Sequence, residues 1–219
     1  MKILGKNMQK IYIFDLDGTL VDSMPVGIGI VLGFLDEKGI PYPDDIVTTL
    51  TPLGYKGSAQ YIADHLSGGY GAEKIYEHFK AETLRAYGET IPLKANVKET
   101  LEKLKAQGCR LNVLTASPQL LTDICMKRLR VYDLFENVWS IDAFGMSKAD
   151  EAIYVEAARR LGVTPEECIM ADDNLNVLKT AKKVGMATVG VYDESSKEVM
   201  EEMRQVADKY VMDFAEFVI

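Results

Sequence analysis

Lys10-Ile11-Tyr12-Ile13-Phe14-Asp15-Leu16-Asp17-Gly18-Thr19-Leu20-Val21-Asp22-Ser23 is the stretch from which the rest of the chain can be read. Four apolar residues in a row suit a strand buried on both faces, as in a parallel sheet. Two carboxylates two residues apart follow it, and strand geometry can point both the same way. Gly18 then lets the chain turn sharply. A bare Asp-Gly would read as a solvated turn. Paired acids directly behind a buried strand read as a site, because ligands of open parallel sheets bind beyond the strands' carboxyl ends.

Comparable apolar runs recur at 111–114, 138–141, 168–171 and 187–192. Helical stretches lie between them. Leu101 and Leu104 mark one that Gly108 closes. Ser117 with Pro118 predicts a cap and first turn for a second. Residues 150–161 and 174–184 predict two more, stopped by Gly162 and Gly185, and Ser195 with Glu198 reads as a capping box for a fifth. Strands alternating with helices predict an α/β core with a parallel sheet. Residues 23–93 differ. They contain no convincing strand, and helices are expected over 25–38, 58–66 and 72–87, punctuated by Gly39, Gly68, Gly69, Gly71 and Gly88. The expected organisation is a discontinuous core, 1–22 with 94–219, carrying an all-helical insert at 23–93.

Each later strand end carries a polar group. Thr115-Ala116-Ser117 follows the second strand, and a hydroxyl beside a helix N-terminus suits phosphate oxygens; Thr115 ending a strand and Ser117 capping a helix is the plainer reading. Lys148 lies beyond the third, where a lone lysine is usually solvated. Asp172-Asp173 follows the fourth. Their repulsion is costly without a cation, and hard oxygen donors favour Mg²⁺; an N-cap from Asp173 is the alternative. Two acids, a hydroxyl, a cation and two more acids at four successive strand ends are what phosphoryl transfer through a carboxylate needs.

In this order the four segments resemble the motifs of the haloacid dehalogenase superfamily, over essentially the whole chain. The insert resembles the α-helical cap of the branch holding phosphoglycolate phosphatases and β-phosphoglucomutases. The resemblance implies a Rossmann-like core and a Mg²⁺-dependent phosphatase acting on a small phosphorylated metabolite through an aspartyl phosphate. It implies Asp15 as nucleophile and Asp17 as acid and base, with Thr115, Ala116 and Lys148 on the phosphate. The metal would be held by Asp15, the backbone carbonyl of Asp17, and Asp173, with Asp172 sharing that role. Two positions depart from the family pattern: Ala149 replaces the usual proline after the lysine, and Val177 stands where relatives often carry another acid.

In similar enzymes a glycine-bearing loop between cap helices lies over the catalytic site and helps choose the substrate. Here that stretch is 52–57, which makes Lys56 a candidate, against an equal reading as a solvated lysine. Phosphonoacetaldehyde hydrolases use a cap lysine but lack the second acid, present here as Asp17. A sugar phosphomutase on the same scaffold is the main competing activity. A receiver domain shares the residue types, but it is about half as long and orders them differently.

Composition agrees. Of 219 residues 47% are hydrophobic and 26% charged, and the net charge of -8 argues against a nucleic-acid partner. The longest apolar run, 26–35, is broken by glycines and far short of the ~20 residues that span a bilayer. Residues 1–10 lack a signal-peptide apolar stretch, so a cytoplasmic protein is expected. Cys109, Cys125 and Cys168 are odd in number and unpaired in spacing, which predicts reduced structural thiols. Gly27, Gly29 and Gly33 mimic a dinucleotide fingerprint but do not follow a strand; close helix packing is expected of them. His65 and His78 are expected to be surface or packing residues. The sequence carries no signal for oligomeric state.

Overall fold

The structure, a computed structural model, describes residues 10–66 and 68–217. Most of the stretch expected to lack a targeting segment, residues 1–9, lies outside them. Among the described residues no helix is long and apolar enough to cross a membrane.

Six parallel strands form one sheet: β1 Ile11–Phe14, β2 Arg110–Thr115, β3 Asn137–Ser140, β4 Cys168–Asp172, β5 Ala187–Val191 and β6 Lys209–Val211. Their order is β3-β2-β1-β4-β5-β6. From β1 the chain builds outward to β2 and β3 on one side and to β4, β5 and β6 on the other. The order therefore reverses between β1 and β4, and the carboxyl ends of those two strands flank the ligand crevice expected of such sheets. Register is fixed by Phe14 opposite Val113 on one side and Ala171 on the other.

Every residue of β1 is buried. Tyr12 and Phe14 face an aromatic layer, with ring centroids 6.4 and 5.7 Å from Phe217. Ile11 and Ile13 face the opposite layer with Ile153, Tyr154, Ala157 and Met170. Two-sided burial explains why the strand is apolar throughout.

Among the described residues four α-helices fall in the insert: α1 Met24–Glu37, α2 Ile46–Leu50, α3 Gly54–Tyr61 and α4 Ala72–Glu89. Five follow: α5 Val97–Ala106, α6 Gln119–Arg128, α7 Glu151–Leu161, α8 Leu175–Lys183 and α9 Met200–Val206. Contacts divide the chain into two compact units, with boundaries at Asp22/Ser23 and Ile91/Pro92. The insert has its own core of Val31, Phe34, Leu35, Ile40, Ile46, Leu50, Ile62, Ile75 and Phe79. His78 lies with its ring centroid 5.1 Å from that of Phe34, and His65 4.6 Å from Tyr61.

Several local expectations change. Ser117 does not cap α6: Pro118 stands at the N-cap, and the Ser117 hydroxyl is drawn to a carboxylate instead. No helix starts at Ser195. Asp193 caps a 3-10 turn over Glu194–Val199, because its carboxylate accepts from both the amide and the hydroxyl of Ser195. The stretch around Lys56 is not a loop, since a 3-10 turn at Thr51–Leu53 runs straight into α3. Gly29 and Gly33 do not serve close helix packing. A Cβ on either would meet nothing within 4 Å, and both line an open groove with Phe34, His78 and Arg85.

Candidate active site

The site grows from the end of β1. The Asp15 amide donates to the Ala171 carbonyl at 2.9 Å, so the ladder with β4 continues one residue past the strand. Asp15 is thereby held beside the end of β4 and is only 6% exposed. The chain then folds back on itself: the Leu16 carbonyl accepts from the amides of Thr19, Leu20 and Val21, and the Gly18 amide donates to the Val21 carbonyl.

Gly18 is required twice over. Its φ is +77°, in the left-handed region that favours glycine. A Cβ there would also sit 2.5 Å from Oδ2 of Asp173. The turn thus packs its bare Cα against the carboxylate of β4's exit. The next residue secures the same group: Thr19 Oγ1 donates to Asp173 Oδ1 at 2.9 Å and accepts from the Asp173 amide at 3.1 Å.

Asn174, not Asp173, caps α8, its Oδ1 accepting from the amides of Asn176 and Val177. Asp173 is therefore left free of helix capping. Asp172 is occupied at both oxygens: Oδ1 accepts from the Asn174 amide at 2.8 Å and Oδ2 from Lys148 Nζ at 2.5 Å. Lys148 Nζ also donates to Asp15 Oδ1 at 2.7 Å. The lysine is buried, and its backbone carbonyl accepts from the Tyr154 hydroxyl at 2.6 Å, which fixes the segment that carries it.

Among the described residues Asp15, Asp172 and Asp173 form a buried group whose ligand oxygens all lie within 4.8 Å of one another. Three acids against one lysine leave two negative charges uncompensated when all are ionised. Burial pushes the Asp15 carboxyl well above the usual range; Lys148 opposes this, while Asp172, Asp173 and Asp17 add to it. Burial, then the neighbouring Asp172 charge, raises Asp173 to about 7. Burial lowers the Lys148 pKa, but Asp15 and Asp172 outweigh it, so the ammonium is held protonated. Buried acids that repel each other and offer only oxygen donors fit a hard divalent cation such as Mg²⁺.

The Asp17 side chain is not part of that group. Its Oδ2 accepts from Ser117 Oγ at 2.5 Å, at the start of the segment after β2. Thr115, fully buried at the end of β2, accepts the Ser117 amide at 3.0 Å, and Ala116 is exposed between them. The structure therefore joins Asp15, Lys148, Asp172 and Asp173 directly, and links Asp17 to Thr115 through Ser117. Lys56 belongs to the helical unit, exposed in the first turn of α3. Thr19 and Asn174 are the site residues that reading the sequence for strand-end acids overlooks, and Ser117, read there as a helix cap, holds Asp17 instead.

The profile of the haloacid dehalogenase-like hydrolases matches residues 9–185. The chain belongs to that family. It is similar to a phosphorylated carbohydrates phosphatase of Thermotoga maritima, 26% identical over 81% of this chain and 82% of the relative. It is also similar to a phosphoglycolate phosphatase of Psychrobacter arcticus, 27% identical over 84% and 83%. In fold it matches the crystal structure of a proposed β-phosphoglucomutase from Thermotoga maritima, with a TM-score of 0.80, 24% identity and coverage of 93% and 94%.

Proposed function

We propose that the protein is a Mg²⁺-dependent phosphatase that hydrolyses a small phosphorylated metabolite, with Asp15 as its nucleophile. The observation that carries this reading is the buried Asp15 carboxylate, paired with Lys148 and set among two further acids at the sheet's switch point. Relatives named as phosphatases of carbohydrate phosphates and phosphoglycolate support the substrate class.

Asp15, Asp173 and the Asp17 backbone carbonyl would hold the cation, which would neutralise the acids and lessen their repulsion of an anionic ester. Asp172, hydrogen-bonded to Lys148 and the Asn174 amide, orients the lysine. Lys148 binds the transferring phosphoryl oxygens together with Thr115 and Ala116, where charge shifts as the bond to the leaving group breaks. Asp15 attacks phosphorus, and the phosphoryl group passes to its carboxylate. Asp17 gives a proton to the departing alkoxide, then removes one from the water that hydrolyses the acyl phosphate. Ser117 holds Asp17 ready for both tasks.

Residues 1–22 with 94–219 are the catalytic core in this reading, and 23–93 are the cap, with Lys56 assigned to substrate choice. Free cysteines at 109, 125 and 168 fit a reducing, cytoplasmic setting. Asp15→Asn tests the assignment: the variant should fold, keep the fluorescence of Trp139, and lose turnover on every phosphate ester. Retained turnover would remove Asp15 from the mechanism.

A further inference from the structure

Lys94 follows the second boundary between the two units, in a segment that carries none of the family's motif residues. Its side chain is only 18% exposed. Nζ donates to the Gly18 carbonyl at 2.6 Å, to the Tyr192 carbonyl at 2.6 Å and to Asp193 Oδ2 at 2.8 Å. An ammonium has three protons, so its donors are fully used. The acceptors come from two separate segments, the turn after β1 and the loop after β5.

The far side of this clamp is rigid as well. Asp193 is 4% exposed, and its other oxygen accepts from the Ser195 amide at 2.9 Å and the Ser195 hydroxyl at 2.6 Å. The backbone around Lys94 is tied to the same turn: its amide donates to the Leu20 carbonyl, Val21 bridges Leu93, and the Asp22 amide donates to the Pro92 carbonyl. A buried ion pair seldom stabilises a fold more than apolar packing would, which leaves placement as its benefit. The placed group is the Gly18 peptide. Its carbonyl lies one Cα away from the Asp17–Gly18 peptide bond, and a Cβ on that Cα would collide with Asp173.

We infer that Lys94 is a positioning residue for Asp17, clamping the Gly18 carbonyl to the loop after β5 so that the acid stays aligned with the leaving group. The inference rests on the phosphatase reading of the same site. It separates two effects of losing the lysine. One is loss of the tether to Gly18. The other is an unneutralised charge on Asp193.

The test compares an alkyl phosphate, whose alkoxide needs a proton to leave, with p-nitrophenyl phosphate, whose phenolate does not. General acid catalysis is worth roughly 10²–10⁴-fold, so Lys94→Met should lower kcat/KM on the alkyl ester by about 100-fold and on the aryl ester by under about 5-fold. With p-nitrophenyl phosphate, whose attack step does not need the acid, phosphoenzyme should also accumulate in acid-quenched samples, because its hydrolysis needs the same group as a base. Lys94→Met with Asp193→Asn, which restores charge balance but not the tether, should show the same selective loss. Asp193→Asn alone loosens the clamp from its other side, should show a smaller selective loss, and carries the test if Lys94→Met does not fold.

Equal losses on both esters, recovery in the double variant, or wild-type selectivity in folded Asp193→Asn would each overturn the inference. Asp17→Asn is the control. If it too lacks leaving-group selectivity, the assignment of Asp17 as the acid fails; if it shows selectivity and the Lys94 and Asp193 variants do not, only the clamp fails.

Discussion

Replacing Asp173 with asparagine should make the metal-free protein more stable, although the reading above makes this residue a metal ligand. In the folded state its carboxyl is raised from 3.8 to about 7, by burial first and by Asp172 next. At about 1.4 kcal/mol per pH unit, holding it ionised at pH 8 costs about 4 kcal/mol. The side chain is 7% exposed, so little solvent screening reduces this. Asparagine keeps an oxygen for the Thr19 hydroxyl, and the strengthening of that hydrogen bond by charge is already part of the raised value. The balance is about 4 kcal/mol in favour of the variant, or an increase of about 2 M in the urea midpoint. Trp139, the only tryptophan, packs against the core beside the sheet and reports unfolding of that unit by fluorescence.

The sign with pH follows from the raised value. Asp173 contributes fully to stability below 3.8, where folded and unfolded states are both protonated, and that contribution is lost as pH rises to about 7. The advantage of Asp173→Asn should therefore shrink to about 2 kcal/mol at pH 5 and level off above pH 7. With Mg²⁺ at about 100 times its dissociation constant the wild type should gain about 2.7 kcal/mol, and the variant nothing. EDTA should reverse that gain. A variant less stable than wild type at pH 8 in EDTA, or an advantage that does not change between pH 5 and 8, would refute the electrostatic account of the acid cluster.

Two further substitutions probe the frame around the acids. Gly18→Ala combines a positive φ, worth about 1–2 kcal/mol, with a Cβ driven into Asp173; urea unfolding should show at least that loss, and Mg²⁺ titration by calorimetry should show weakened affinity. Ser117→Ala removes a hydrogen bond, worth about 0.5–1.5 kcal/mol, from the Asp17 carboxyl. Its kcat on an alkyl phosphate should fall about tenfold with KM nearly unchanged, since steady-state rates at saturating ester then report the misaligned acid.

The core was legible because two-sided burial leaves a mark: β1 and β4 are apolar up to their closing acids, β2 and β5 are apolar apart from Arg110, Asn112, Thr115, Thr188 and Gly190, and the candidate site groups follow the strand ends. What lay in pairings between distant residues was not legible. Lys209-Tyr210-Val211 is too short to show a period, and β6 exists because its backbone completes the edge of β5. Ser195 and Glu198 have the spacing of a capping box, but Asp193, held by Lys94, captures Ser195 first. Asp172 and Asp173 look interchangeable in sequence. Only the contacts separate them, one hydrogen-bonded to Lys148 and the Asn174 amide, the other cradled by Gly18 and Thr19. Lys56 read as part of a loop because glycines at 54 and 57 suggest one, yet Gly54, at φ +60°, opens α3.

Borohydride reduction of acid-quenched enzyme, taken during turnover of a phosphate ester and followed by peptide mass spectrometry, bears most directly on the phosphorylated carboxylate. An acyl phosphate on Asp15 is reduced to homoserine, so the peptide spanning the β1 turn should carry homoserine at position 15 only when substrate and Mg²⁺ are both present. Unmodified Asp15 in enzyme that is turning over, or homoserine at a different acid, would contradict the assignment.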